Sequence, residues 1–229
     1  MEVAANRQHD AIARLRPVAY SFAREQIQTG DILLCRGTSI EGMLISRVTH
    51  APYTHAAMAG YSGRCLMSAE TVQHHDARLI SLSSEVKKWP GYYDVFRVRT
   101  RDYRPDLAWS FMCHAAGACY SWRHISRTWL RRRLGEWCPA IPNSDDPEVP
   151  RDCSALVHAA LRYAGGPRLK EFDCDVVPGD LADPRYFEYQ FTLCGTQAQA
   201  ASLADQQAAR QQWAMGAEPS SDHVEGGAA

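Results

Sequence analysis

The chain has 229 residues, with 45% apolar and 22% charged side chains and a formal net charge of −1. That length suits one globular domain with extensions. The charge balance excludes a general electrostatic attraction to nucleic acid or to an acidic membrane surface.

No apolar run reaches the ~20 residues of a membrane span. The first twenty residues, MEVAANRQHDAIARLRPVAY, hold no continuous apolar core. They do not read as a secretory signal, so the default expectation is a cytoplasmic protein, with export by a route that needs no signal peptide left open. Eight cysteines are present. In a reducing compartment they are not expected to form disulfides. C-x-x-C and H-E-x-x-H spacings are absent, so no zinc site is expected, and chemistry on a cysteine thiol requires neither a metal nor an organic cofactor. Most of the cysteines should be small buried hydrophobes.

Taken in chain order, residues 8–28 read as one or two short helices kinked at Pro17. A Thr29-Gly30-Asp31 turn leads into the buried strand Ile-Leu-Leu-Cys, and residues 39–49 have roughly helical spacing. Residues 54–61 and 65–72 read as strands joined by a Ser62-Gly63-Arg64 hairpin turn, and 93–99 as another strand. A small antiparallel sheet in the first half is the result. A helix is expected over 106–119, started by Pro105-Asp106. A basic, aromatic stretch (123–137) and a Pro- and acid-rich loop (139–150) follow. The next helix has Asp152 at its start and Gly165-Gly166 at its stop. Residues 175–195 read as irregular. From 196 a Gln/Ala-rich helix runs to about Trp213, before a tail with a disordered composition. The domain reading is a helical extension (1–28), a catalytic domain (29–195) and a terminal segment (196–229).

Cys153 stands out among the cysteines. It falls in the first turn of its helix, where unpaired N–H groups and the helix dipole favour a thiolate. A nucleophilic thiol needs a base. His55, in the small-residue run Thr54-His55-Ala56-Ala57, is one candidate; His74 and His75 are rivals. Glu70, on the strand after that of His55, comes within reach of the imidazole if the register allows, and could orient it.

Four segments carry a family resemblance. Asp152-Cys153-Ser154-Ala155-Leu156-Val157 resembles the D-C-S-G-L-V nucleophile motif of NlpC-type cysteine peptidases, with Ala155 in place of the usual Gly. Ala118-Cys119-Tyr120-Ser121-Trp122 resembles the G-x-P-Y-x-W segment, Gly30-Asp31-Ile32-Leu33-Leu34 the G-D-L-V-F strand, and Tyr53-Thr54-His55-Ala56-Ala57-Met58 the histidine strand. The strands precede the nucleophile helix here. That order resembles the circularly permuted branch, the YiiX- and YaeF-like proteins, whose relatives include the lecithin–retinol acyltransferase group.

The resemblance implies an α+β, permuted papain-like fold, with Cys153, His55 and Glu70 catalytic and Tyr120 lining the substrate site. It implies hydrolysis of an amide, such as a cell-wall peptide or another amidated small molecule, with thioester or ester cleavage also within reach. A lipid acyl hydrolase or acyltransferase is the alternative enzyme. A binding module that kept the fold and lost catalysis is the alternative outside enzymes. The expected partner is a peptide or small-molecule substrate, free or lipid-linked, and not nucleic acid. Asp31 is expected to serve structure. Arg131-Arg132-Arg133 reads as a solvated face or, with its neighbours Trp129, Leu130, Leu134 and Trp137, as a lid or a membrane-facing patch.

Overall fold

The computed structural model describes residues 16–36, 51–72, 76–117, 152–171 and 173–214. It is an α+β fold built on one seven-stranded sheet. The strands are β1 (Pro17–Ala19), β2 (Ile32–Cys35), β3 (His55–Ser62), β4 (Cys65–Thr71), β5 (Ala77–Ser81), β6 (Tyr93–Val98) and β7 (Phe187–Cys194). Their order across the sheet is β1-β7-β6-β2-β3-β4-β5. Only the β1–β7 pair is parallel.

The helices are α1 (Tyr20–Ala23), α2 (Leu82–Lys88), α3 (Pro105–His114), α4 (Cys153–Tyr163) and α5 (Gln197–Ala214). Strand alternation sends side chains to two faces. On one face Ile32, Leu34, Ala56, Met58 and Ala69 pack with Trp109 and Met112 of α3 and Leu156, Val157, Ala160 and Leu161 of α4. On the other, Leu33, Ala57, Ala59, Leu66, Val95 and Phe191 pack with Ala23 of α1 and Leu82 and Val86 of α2. Each large side chain so buried contributes roughly 1.5–3 kcal/mol. Helix α5 packs against β1 and β7.

A small residue on β3 sets how closely α3 approaches. A Cβ at Gly60 would overlap the Trp109 ring. The run of Ala and Gly in β3 leaves the room that Trp109 fills.

Several sequence expectations need correction. Pro17 does not kink a helix; it opens β1, at the sheet edge, where a missing N–H is tolerated. Among the described residues of this region, 16–28, the helical structure is the single turn of α1, and the reading for 8–15 falls outside the described residues. The sheet is not confined to the first half, because β7 lies between β1 and β6 within the stretch that reads as irregular. Strand β5 and helix α2 are additional to the elements expected from the sequence. Helix α3 stops at His114, short of 119. By contrast β2, β3, β4, β6, the 62–64 turn, α4 and α5 lie where the sequence puts them. The readings for 39–49, His74 and His75, 118–151 (with Tyr120 and the arginine run) and the tail beyond 214 fall outside the described residues.

Candidate active site

Helix α4 begins at Cys153 because Asp152 caps it. The Asp152 carboxylate accepts the Ala155 N–H at 2.7 Å and the Ser154 hydroxyl at 3.2 Å. Ser154 also donates to the Val176 carbonyl at 2.7 Å, tying the helix start to the chain that follows. Asp152 is buried, and burial pushes its carboxyl up to about 6 although the N–H donors oppose that.

His55 is the first residue of β3, as Cys153 is the first of α4. The Cys153 sulfur acts directly on the His55 ring, and α4 packs against β3, so the N-terminus of the helix meets the sheet where β3 begins. Glu70 pairs with Ala57 across the β3–β4 ladder. That register sets Glu70 on the same face as His55, two residues along, which is the diagonal reach of a long side chain. Glu70 Oε2 lies 3.0 Å from His55 Nε2. With Nε2 engaged by the carboxylate, Nδ1 is the ring nitrogen left for the Cys153 sulfur.

A further cation completes the arrangement. Arg78 stands directly across β4–β5 from Glu70. Its Nε and Nη2 donate to Glu70 Oε1 at 3.0 and 2.6 Å. The sequence alone does not single out Arg78, since nothing along the chain marks β5 as the partner of β4.

The charges follow from this packing. Burial alone would disfavour the His55 imidazolium, but the Cys153 sulfur and then the Glu70 carboxylate outweigh it and hold the ring's pKa well above the ordinary value. Burial would raise the Glu70 carboxyl, yet His55 and Arg78 bring it down to about 2. A second thiol shares this neighbourhood. Cys35 faces His55 across the β2–β3 ladder. Its burial, only partly offset by His55, pushes the thiol up to about 11.

The segment entering β3 is pinned by a buried polar cluster. Asp94 accepts from Tyr53 at 2.9 Å, from Arg36 at 3.0 Å and from Thr192 at 2.5 Å. This ties β6, β7 and the end of β2 to the residue two before His55. Asp31, expected to be structural, accepts from Arg97 at 2.9 and 3.0 Å and from the Gln28 N–H at 2.8 Å. His158, inside α4, is also absorbed into structure: its Nε2 accepts the Leu169 N–H at 2.9 Å and its Nδ1 lies 2.6 Å from Asp173.

Among the described residues, no three or more His, Cys, Asp or Glu side chains are grouped to hold a metal ion. Within the same residues no helix is long and apolar enough to cross a membrane.

No known protein family matches the sequence, and no curated protein matches it. Among solved structures the fold is similar to one titled metalloprotein yiiX from Escherichia coli O157:H7, DUF1105, at 21% identity and a TM-score of 0.36. The likeness covers 76% of this chain and 91% of that one.

Proposed function

We propose that the chain is a cysteine-dependent hydrolase that cleaves an amide bond through an acyl-enzyme on Cys153. One observation carries the reading. A single histidine, His55, holds a cysteine at a helix N-terminus on one side and a buried, ionised carboxylate on the other. A nucleophile, its base and an orienting group come together in that order. The sequence resemblance to the permuted YiiX- and YaeF-like branch, where the strands also come before the nucleophile helix, points to the same chemistry.

In the proposed reaction the Cys153 thiol gives its proton to His55, and the sulfur attacks the acyl carbon. The oxyanion is held by the Cys153 backbone N–H, an orphan donor of the helix start. His55 returns the proton to the leaving amine as the carbon–nitrogen bond breaks. Water, deprotonated by His55, then adds to the thioester. The carboxylic acid leaves and the thiol reforms. Glu70 stabilises the imidazolium in both halves, and Tyr120 is assigned to the substrate pocket on the resemblance alone.

The test is thiol selectivity. At pH 6–7, iodoacetamide followed by peptide mapping should label Cys153 ahead of the exposed Cys65 and far ahead of Cys35. The Cys35 thiol, at about 11 against an ordinary 9, presents roughly 100-fold less thiolate than an unperturbed cysteine. His55→Ala should erase the preference for Cys153. Equal labelling of Cys65 and Cys153 would refute the reading, as would near-normal turnover by Cys153→Ala. A mass-spectrometric screen of cell-wall peptides against lipid amides then separates an amidase from a lipid acyl hydrolase or acyltransferase. No turnover of either, with no reactive thiol, would point to a binding module.

A further inference from the structure

We infer that Arg78 is the positioning residue of this site, holding Glu70 so that one carboxylate oxygen is reserved for His55. The inference rests on the cysteine–histidine reading above and adds to it a residue that acts through Glu70 and not on the substrate.

The geometry divides the Glu70 carboxylate between two partners. Oε1 takes both donors from Arg78, Nε at 3.0 Å and Nη2 at 2.6 Å. Oε2 alone faces His55 Nε2, at 3.0 Å. A guanidinium that delivers two N–H groups to one oxygen restricts how the carboxylate can turn. The side chain is 2% exposed, so water cannot supply that restraint. Arg78 itself is 34% exposed and lies directly opposite Glu70 in the β4–β5 register. Its guanidinium comes from the strand side away from His55, where it can hold the carboxylate without blocking the imidazole.

The surroundings need such a cation. Among the described residues, the groups with an electrostatic influence on this patch are Cys35 on β2, His55 on β3, Tyr93 on β6, Glu85 on α2 beside Tyr93, Cys153 on α4 through His55, and the Arg36–Asp94 pair, which acts on Cys35. Arg36 is paired with Asp94, and the cations that act on Glu70 are His55 and Arg78. Without Arg78, the buried carboxylate would have His55 as its single cationic partner among the described residues. Glu70 would then gain protons more readily, and a protonated Glu70 no longer raises the basicity of His55. A role confined to stitching the edge strand β5 onto β4 would need the ion pair but not its division between two oxygens.

The experiment compares Arg78→Met, Arg78→Lys, Glu70→Gln and the double variant Arg78→Met/Glu70→Gln with the full wild-type chain. Two readouts are used: the iodoacetamide alkylation rate of Cys153 at pH 6, and carbon-13 NMR titration of the Glu70 carboxyl between pH 4 and 7. Circular dichroism and thermal melting establish that each variant is folded. Arg78→Met should slow Cys153 alkylation about tenfold, the lower end of losses on removing an orienting partner. It should also bring Glu70 protonation into the measured range, where the wild type stays ionised. In the Glu70→Gln background the same change should cause no further loss, because Arg78 acts through Glu70. Arg78→Lys should keep Glu70 ionised but recover only part of the rate, since a point charge replaces the fork. Wild-type alkylation rates in a folded Arg78→Met protein, with Glu70 still ionised at pH 4, would overturn the inference. So would an equal loss in the Glu70→Gln background. If the wild type shows no selective reaction at Cys153, the hydrolase reading fails instead, and the Glu70 titration still decides whether Arg78 governs that carboxylate.

Discussion

Glu70→Gln tests the site most severely, because the structure leaves the amide no satisfactory orientation. If the Gln oxygen takes the place of Oε1 and accepts from Arg78, its NH₂ group faces His55 Nε2. The ring must then turn its Nε2 lone pair to the amide and carry its proton on Nδ1, toward Cys153. That is the wrong tautomer for a base. If the amide flips, its oxygen serves His55 but its NH₂ meets the Arg78 guanidinium, donor against donor, in a nearly closed site. The lost charge can be sized. Burial would raise the Glu70 carboxyl, but His55 and Arg78 hold it at about 2 against an ordinary 4.5, a net of roughly 3 kcal/mol left after they have offset the cost of burial.

Acylation should therefore slow by about 10²–10⁴-fold, as when other triads lose the orienting group. The assay is single-turnover acylation of Cys153 by p-nitrophenyl acetate, followed through nitrophenolate release. Substrate affinity should change little, since Glu70 contacts the base. Stability provides a second reading. A carboxyl with a depressed folded pKa contributes stability that is fully present above about 4.5 and lost as pH falls through about 2. The stability gap between wild type and Glu70→Gln, measured by urea unfolding, should shrink as pH falls from 5 toward 2. An acylation rate within about threefold of wild type, under ~1 kcal/mol, would remove Glu70 from the site. A gap that does not vary with pH would refute the ionised pairing.

Other substitutions test how the site is held. Asp152→Ala removes the acceptor of the Ala155 N–H, so it should cost about 1–2 kcal/mol in urea unfolding and slow Cys153 alkylation as the helix start loosens. Asp152→Asn keeps an acceptor but no buried charge. Because the Asp152 carboxyl is raised to about 6, its ionisation opposes folding as pH rises from about 4 through 6. The Asn variant should therefore gain on wild type across that window, and parallel stability–pH curves would contradict the burial argument. Gly60→Ala sets a methyl against the Trp109 ring. Thermal melting should show a loss of about 1–3 kcal/mol, and an unchanged melting temperature would mean that α3 is not held against β3 at that point.

Helix α4 is legible in the sequence itself. Asp152 at the N-cap, apolar residues on one face and Gly165 at the stop are local signals, and the positive φ of 74° at Gly165 shows why glycine ends it there. The hairpin of β3 and β4 is legible for the same reason: alternation and a short glycine turn lie within a few residues of one another. The candidate residues are visible along the chain as well: Cys153 as a thiol at a helix start, His55 (with His74 and His75 as rivals) as a histidine in a small-residue strand, and Glu70 as a carboxylate on the next strand. What the sequence could not state was their meeting. Cys153 and His55 are almost a hundred positions apart, and only the packing of α4 on β3 brings helix start and strand start together. The Ala57–Glu70 register had to be observed, since a slip by one residue would turn Glu70 to the opposite face. Strand β7 alternates Phe187, Tyr189, Phe191 and Leu193, yet its partners β1 and β6 lie far away in sequence, so its strand state was decided by tertiary pairing. Arg78 became part of the site in the same way: on its own it is a surface arginine, and it acquires a role only because β5 pairs with β4 and sets the guanidinium across from a buried carboxylate.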